Sequence, residues 1–337
     1  MRAVVVHAFA PLTDIKVEEF PDPAPQAGEV LVDIKAIGLN FSDRLMIEGR
    51  YQIRPDCPFV PGRDACGVVA AVGTGVTGCK PGDRVMTVMP YGAYGEKTVA
   101  PESRCFVIPN SMDFTSGAAL GNAYITAYLA LTQSAAIKPN DVILVTGASG
   151  GVGLAAIELA QALGASIVIA GVTSADKGEL ALRHHADHWV DLSAADLVRS
   201  LRDQVQAATG GKGVDIVLDI VGGAVFDAAL RCLAQKGRMV SIGFASGAIP
   251  EAKANYLLLK NLKVVGCHSE LYYAEIELMK GVVDDLFRFH EQGKIHPEIM
   301  ATYPLEEFQA ALAHFGTGQI RGKIVLTTGG DRPQASD

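Results

Sequence analysis

Apolar residues fall along this chain in two rhythms. Up to about residue 120 they come in short β-branched runs, AVVV, EVLVDIKAIGL, CGVVAAVG, DRVMTVM and EKTVA, separated by turn signals such as PDPAP and KPGD. Such runs, bounded by Pro, Gly and Asp, predict short strands in a compact, mostly β domain. The rhythm changes near Asn122. From there, strands that are apolar throughout (DVILV, SIVIAG, VDIVLDI, RMVSIGF, LKVVGC) alternate with apolar-faced helices predicted over 152–163, from about 176, near 197–209 and through 230. Strands apolar on both faces, each followed by a helix, predict a parallel sheet covered on both sides, a doubly wound α/β fold. After Cys267 a long helix is predicted from Tyr273 to Gln292, and GKIVLTT then reads as a strand that completes the first domain. The α/β chain is therefore expected as a mostly β domain of residues 1–122 and 268–337 holding an inserted doubly wound parallel-sheet domain of residues 123–267. The polar ending GGDRPQASD reads as frayed.

Composition narrows the function. With 337 residues, 49% hydrophobic and 20% charged, the chain has material for two packed cores and is neither disordered nor fibrous. No apolar run reaches the roughly 18 residues of a membrane span. The start, MRAVVVHAFAPLTD, lacks the long apolar core and cleavage site of a leader and reads as a first strand, so a cytoplasmic protein is expected. A net charge of -8 without clustered Lys and Arg argues against nucleic acid and anionic membrane as partners. The expected ligand is small. Six scattered cysteines, with no CxxC pair and no His at metal-ligand spacing, read as reduced structural thiols. His184, His185 and His188 cluster beside a predicted helix end and read as a solvated helix terminus rather than a metal site.

The chemistry begins at VILVTGASGGVG, Val142 to Gly153. Laid on GxGxxG, it gives Ala148, Gly150 and Gly153, with Gly147 and Gly151 adding freedom. Between a buried strand and a helix, such a turn lets the backbone N–H groups of Ala148, Ser149, Gly150, Gly151, Val152 and Gly153 approach a pyrophosphate at the positive end of the helix. About 20 residues on, an NAD enzyme places an acid on the ribose 2′-hydroxyl; here the strand ends Ala170, Gly171, Val172, Thr173, Ser174 without one. Ser174 can donate to a 2′-phosphate and Lys177 can supply charge, which selects NADPH.

GEVLVDIKAIGLNFSD, VPGRDACGVVAAVG, KPGDRV, TGASGGVGLAAIELAQALGA, GVDIVLDIVGG, GRMVSIGFASG, LLLKNLKVVG and RGKIVL occur in order over essentially the whole chain. Together they resemble the zinc-free quinone oxidoreductase branch of the medium-chain dehydrogenase/reductase superfamily. The resemblance implies a GroES-like catalytic domain folded around an inserted Rossmann domain that binds NADPH. Zinc-binding members carry a Cys in the segment Leu39 to Asp43, which has none here, and a His-Glu pair where this chain has Arg63 and Asp64; no metal is expected. Without a Lewis acid to stabilise an alkoxide, reduction of a quinone or an α,β-unsaturated carbonyl by hydride transfer is the expected chemistry.

The resemblance also implies roles. Asn40 matches an Asn beside the nicotinamide, with an amide for the cofactor ribose or a substrate carbonyl; capping the following helix is its plainer reading. Tyr51 stands where related reductases carry a Tyr near the substrate, to donate to a developing enolate, or merely to shape the rim. Thr126 falls near the nicotinamide, or bonds its own helix. Val221, Gly243 and Phe244 lie at strand ends, where ligands of doubly wound sheets bind, and the last two match the adenosine and ribose wall. Lys323 matches a lysine near the cofactor. Tyr91, Tyr94, Tyr272 and Tyr273 suit a flat acceptor. A homodimer, paired at the edge strand LKVVGC, is expected. An enoyl-thioester reductase, using Arg50 and Arg54 for a phosphopantetheine or CoA arm, and a non-catalytic NADPH-binding scaffold or sensor remain as alternatives.

Overall fold

The structure, a computed structural model, describes residues 1–329; the ending read as frayed lies, from 330 on, outside the described residues. The chain divides into two units. The first holds Met1–Asn122, Ile299–Gln319 and the stretch from Lys323; the second holds Ala123–Glu298 with Ile320–Gly322.

The first unit is built on a sheet ordered Ile299–Pro304, Lys323–Thr327, Glu29–Gly38, Asp64–Val72, Arg84–Val88, Cys105–Val107, with Lys97–Pro101 also pairing Glu29–Gly38. All pairings are antiparallel except that of Ile299–Pro304 with Lys323–Thr327. Glu29–Gly38 alternates buried and less buried positions over most of its length, the mark of a strand with one face on a core. Val30, Val32, Val69 and Val85 fill that face.

The second unit is a parallel sheet ordered His188–Asp191, Ile167–Val172, Val142–Thr146, Val214–Asp219, Leu233–Ser241, Lys263–Gly266. This is the doubly wound order, in which the direction of winding reverses between the first and fourth strands in sequence, here Val142–Thr146 and Val214–Asp219. Ile143, Leu144, Val145, Val168, Ile169, Ile216, Val217 and Leu218 are all inaccessible, because helices cover both faces.

One boundary differs from the sequence reading. Residues 268–298 belong to the second unit, so the return to the first comes at Ile299 and not at His268. The predicted long helix is a 3-10 turn, Ser269–Ala274, followed by helix Ile276–Glu291, which buries Met279, Val282, Val283, Leu286, Phe287 and Phe289. Its Asp285 accepts the Tyr128 hydroxyl from helix Phe114–Leu129. An apolar stripe shows that a helix packs, but not against which sheet.

Candidate functional site

In the second unit the glycine stretch forms the expected turn at the winding reversal. Gly147 has φ +65°, and a Cβ at Gly153 would lie 2.4 Å from Gly147 O, so both positions need glycine. Ala148 N–H donates to Gly171 O at 3.1 Å, tying the turn to the neighbouring strand. Helix Gly151–Ala162 starts after Gly150 with no side chain capping it. Its first-turn N–H groups, those of Gly151, Val152 and Gly153, have no intrahelical acceptor, and at Gly150 a Cβ would find only Gly147 O, 3.7 Å away. An open, uncapped helix N-terminus behind a glycine turn fits a pyrophosphate. The Ser149 side chain is engaged elsewhere. Its hydroxyl donates to Ile320 O at 3.3 Å, and the Ser149 carbonyl accepts Gly322 N–H at 2.8 Å.

At the end of strand Ile167–Val172, Ser174 precedes helix Ala175–Arg183. Lys177 is buried, and its Nζ donates to Thr173 Oγ1 at 3.2 Å. Burial pushes the ammonium pKa down, Arg321 nearby adds to that, and Asp176 opposes it. Asp176, two residues beyond the acid-free strand end, is held down to about 2 by the Ser174 hydroxyl and by Arg321. Arg321 Nε donates to Asp176 Oδ2 at 3.0 Å and Nη2 to the same oxygen. Sequence reading missed this pair: RGK drew attention to Lys323, and nothing local couples Arg321 to a residue so far back in the chain.

Across the winding reversal, buried Asp219 accepts the Thr146 hydroxyl at 2.7 Å and the Gly222 N–H at 3.1 Å. Burial raises its carboxyl pKa and these donors restrain it. The clamp joins the ends of adjacent strands and brings Val221 over the turn, its methyl 3.1 Å from where a Gly147 Cβ would stand. Gly243 N–H bonds Asp219 O at 3.4 Å, and the Phe244 ring stands 3.1 Å from a Cβ position at Gly222. Val221 therefore overhangs the glycine turn, while Gly243 and Phe244 stand beside Asp219 and Gly222 at the end of the neighbouring strand. The Thr126 hydroxyl donates to Ser269 Oγ at 3.2 Å rather than to its own helix.

In the first unit Asn40, Asp43, Asp64, Tyr94 and Lys323 form a buried polar cluster. Lys323 Nζ donates to Leu39 O (2.8 Å), Asn40 Oδ1 (2.9 Å) and Asp64 Oδ2 (3.3 Å). Asn40 Nδ2 donates to Asp64 Oδ2 at 2.9 Å and Gly38 O at 3.3 Å. Both amide hydrogens are engaged, so Asn40 has no donor for a substrate carbonyl; only a lone pair on Oδ1 remains. Asp64 Oδ1 accepts Asn122 N–H at 2.8 Å. Asp43 accepts Asn40 N–H and the Tyr94 hydroxyl, each at 2.9 Å, and burial, with Asp64 nearby, raises its pKa to about 6. Tyr51 accepts from Arg63 Nη1 at 3.1 Å.

Two sequence readings are overturned. Tyr94 is fully buried on Asp43 and cannot line an acceptor site, whereas Tyr91 is exposed. His184 is not solvated: buried, it bonds Glu158 through Nδ1 (2.8 Å) and Glu298 through Nε2 (3.2 Å), and these carboxylates outweigh burial and raise its pKa. Among the described residues no three His, Cys, Asp or Glu side chains are grouped to hold a metal, and no helix is long and apolar enough to cross a membrane.

Two sequence families match: the alcohol dehydrogenase GroES-like domain over residues 26–110 and the zinc-binding dehydrogenase over residues 151–284. Quinone oxidoreductase-like protein 2 of Rattus norvegicus is 36% identical over 326 residues, spanning 96% of this chain and 91% of that protein. The structure of mycobacterial Rv1454c complexed with NADPH superposes with a TM-score of 0.91 at 30% identity, covering 97% of this chain and 100% of that chain. That of Escherichia coli quinone oxidoreductase complexed with NADPH gives 0.89 at 30% identity, with 97% and 100% covered.

Proposed function

The chain belongs to the quinone oxidoreductase branch of the medium-chain dehydrogenase/reductase superfamily, and on that premise we propose that it is an NADPH-dependent, zinc-independent oxidoreductase reducing quinones or α,β-unsaturated carbonyls. The observation that carries the cofactor is the cationic group at the end of strand Ile167–Val172. Ser174, Lys177 and Arg321 stand where a doubly wound fold holds the adenosine ribose, and the acid there, Asp176, is already neutralised by Arg321. A 2′-phosphate offers the same guanidinium a stronger, bidentate partner.

Bound NADPH supplies a hydride; the chain's residues bind, orient and answer the charge that develops on the acceptor oxygen. The uncapped helix end takes the pyrophosphate, and Val221, Gly243 and Phe244 wall the adenosine. Lys323 and Asp64 fix the Asn40 amide, and the Oδ1 lone pair left over would accept a ribose hydroxyl. Thr126, held by Ser269, would border the nicotinamide. Tyr51 donates to the enolate oxygen or α-carbon.

The test follows NADPH absorbance against 1,4-benzoquinone, a naphthoquinone, a short enone and crotonyl-CoA, with NADH and a chelator as controls. Chelator-resistant turnover that prefers NADPH supports the reading. Loss of activity on chelation refutes zinc independence, crotonyl-CoA as best acceptor favours an enoyl-thioester reductase, and tight NADPH binding without turnover favours a scaffold.

A homodimer belongs to the same proposal. Strand Lys263–Gly266 is the edge of its sheet, and beside it helix Ala254–Lys260 carries Leu258 and Leu259, 78% and 75% exposed. An open strand edge next to exposed leucines is costly to leave in water.

A further inference from the structure

We propose that His184 and Glu298 form a brace that holds the segment Ile320–Gly322, and with it Arg321, in place for the 2′-phosphate of NADPH, which makes both of them positioning residues for cofactor selectivity. The inference rests on the NADPH reading above and adds to it two residues that the reading does not use.

The segment is held from two sides. Gly322 N–H donates to Ser149 O at 2.8 Å and the Ser149 hydroxyl donates to Ile320 O at 3.3 Å, so one side rides on the glycine turn. The other side lies on Glu298. Gly322 has φ +77°, and a Cβ there would stand 2.3 Å from Glu298 O, 2.7 Å from its Cβ and 2.8 Å from its Cγ. Arg321 extends from between these contacts to Asp176. A side chain is aimed only as well as the backbone on either side of it is fixed.

What fixes the Glu298 side chain is His184. The ring meets Glu298 Oε2 through Nε2 at 3.2 Å and Glu158 Oε1 through Nδ1 at 2.8 Å. Carboxylates only accept, so both ring nitrogens donate and the ring is an imidazolium. Burial lowers its pKa, and the two carboxylates outweigh burial and raise it. Glu158 is itself fixed: buried in helix Gly151–Ala162, it accepts the Tyr124 hydroxyl at 2.6 Å and the His296 N–H at 3.0 Å. The contacts close a circuit that runs from the glycine turn through its helix to Glu158, His184, Glu298 and Gly322, and back to Ser149. His184 also ends helix Ala175–Arg183, whose first turn carries Asp176 and Lys177.

A neutral imidazole has one donor and must give up one carboxylate. Losing Glu158 would strand a buried charge, whereas the Glu298 side chain is 40% exposed, so the bond to Glu298 is the one released. The titratable groups facing the ring are Glu158 and Glu298, with Tyr124 and His296 beyond Glu158; the chain neighbours Arg183 and His185 are exposed. Because the folded pKa is raised, the brace is complete at neutral pH and is lost as pH rises through that raised value.

The experiment measures Kd for NADPH and for NADH by fluorescence titration in wild type, Glu298→Ala, Glu298→Gln, His184→Gln, Arg321→Gln and the Glu298→Ala/Arg321→Gln double variant. A second arm reads amide hydrogen exchange at Gly322 in the protein without cofactor. At about pH 7, Glu298→Ala and His184→Gln should each weaken NADPH about tenfold and leave NADH unchanged. Glu298→Gln keeps an acceptor for His184 and should stay within about twofold of wild type. The double variant should bind NADPH no more weakly than Arg321→Gln, because the brace acts through that side chain. Exchange at Gly322 should quicken about tenfold in Glu298→Ala. From about pH 7 to 9 the NADPH difference between wild type and Glu298→Ala should narrow as His184 loses its second proton. Lys177, whose pKa is lowered by burial, titrates in both proteins and cancels from that difference.

Equal losses for NADPH and NADH, additive losses in the double variant, a NADPH difference that does not narrow with pH, or unchanged exchange at Gly322 overturns the brace. Should His184→Gln fail to fold, Glu298→Ala answers the same question from a half-exposed position. A wild type that does not prefer NADPH, with exchange at Gly322 still dependent on Glu298, would sink the NADPH reading and leave the brace itself standing.

Discussion

Arg321 reaches Asp176 across 145 residues of sequence, meeting one carboxylate oxygen through both Nε and Nη2. With its pKa held down to about 2, Asp176 stays ionised at every pH at which the protein would be assayed. A 2′-phosphate would compete with Asp176 for the guanidinium. Arg321→Gln should therefore weaken NADPH by about tenfold or more and leave NADH unchanged. Asp176→Asn should tighten NADPH severalfold. Fluorescence titration with both cofactors decides it; equal losses for NADH and NADPH in Arg321→Gln would place Arg321 outside the cofactor site.

The two glycines of the turn should differ in what they tolerate. A Cβ at 153 meets Gly147 O at 2.4 Å and Ala148 Cα at 2.7 Å, backbone that cannot swing aside. Gly153→Ala should cost about 1–3 kcal/mol in stability and abolish measurable NADPH binding. At Gly150 the nearest atom is 3.7 Å away, so Gly150→Ala should melt like wild type. Thermal melts with and without NADPH separate the two cases.

Asp43 predicts a pH dependence of stability. Burial raises its folded pKa from 3.8 to about 6. The folded state therefore binds this proton more tightly than the unfolded chain, and the stability this confers is complete below about pH 4 and lost as pH rises through 6. Asn at this position keeps an acceptor for Tyr94 and has no charge to bury. Between pH 4 and 7 the unfolding free energy of Asp43→Asn should gain on wild type by up to about 3 kcal/mol. Parallel denaturation curves across that range would contradict it.

Leu258 and Leu259 test the dimer. Replacing both with Asp should turn a homodimer into a soluble, folded monomer with an unchanged circular dichroism spectrum. Light scattering at micromolar concentration reads the mass; a wild-type monomer would refute the proposal directly.

What the sequence could show was whatever depends on neighbours in the chain. Helix Leu197–Thr209, strand Val142–Thr146 and the glycine turn sit where periodicity and turn chemistry put them. Features made by distant residues were out of reach. Tyr91 and Tyr94 share one short loop, yet one is exposed and the other buried, because Asp43 and Gly62 wait at only one of the two sites. His184 looked like part of a solvated helix end because Glu158 and Glu298 lie 26 and 114 residues away. Asn40 was legible as a position but not as a group already engaged, since Lys323 closes on it from 283 residues further along. Helix Ile276–Glu291 was foreseen as a helix and assigned to the wrong unit, since amphipathicity carries no address.

The return of the chain to its first sheet fixes an order of assembly. Strands Ile299–Pro304 and Lys323–Thr327 extend the sheet beside Glu29–Gly38, yet they come after every other described strand in the chain, while all but three residues of the second unit form one uninterrupted stretch. On a ribosome that emits the chain from its start, the later-encoded unit can close its parallel sheet first. The opening residues must wait for an open flank to be covered, so a nascent chain halted near residue 298 would display the Ala36–Gly38 end of that strand, which Lys323–Thr327 later seals while Lys97–Pro101 already covers Glu29–Asp33, a short bare β-edge of the kind that holdase chaperones shield.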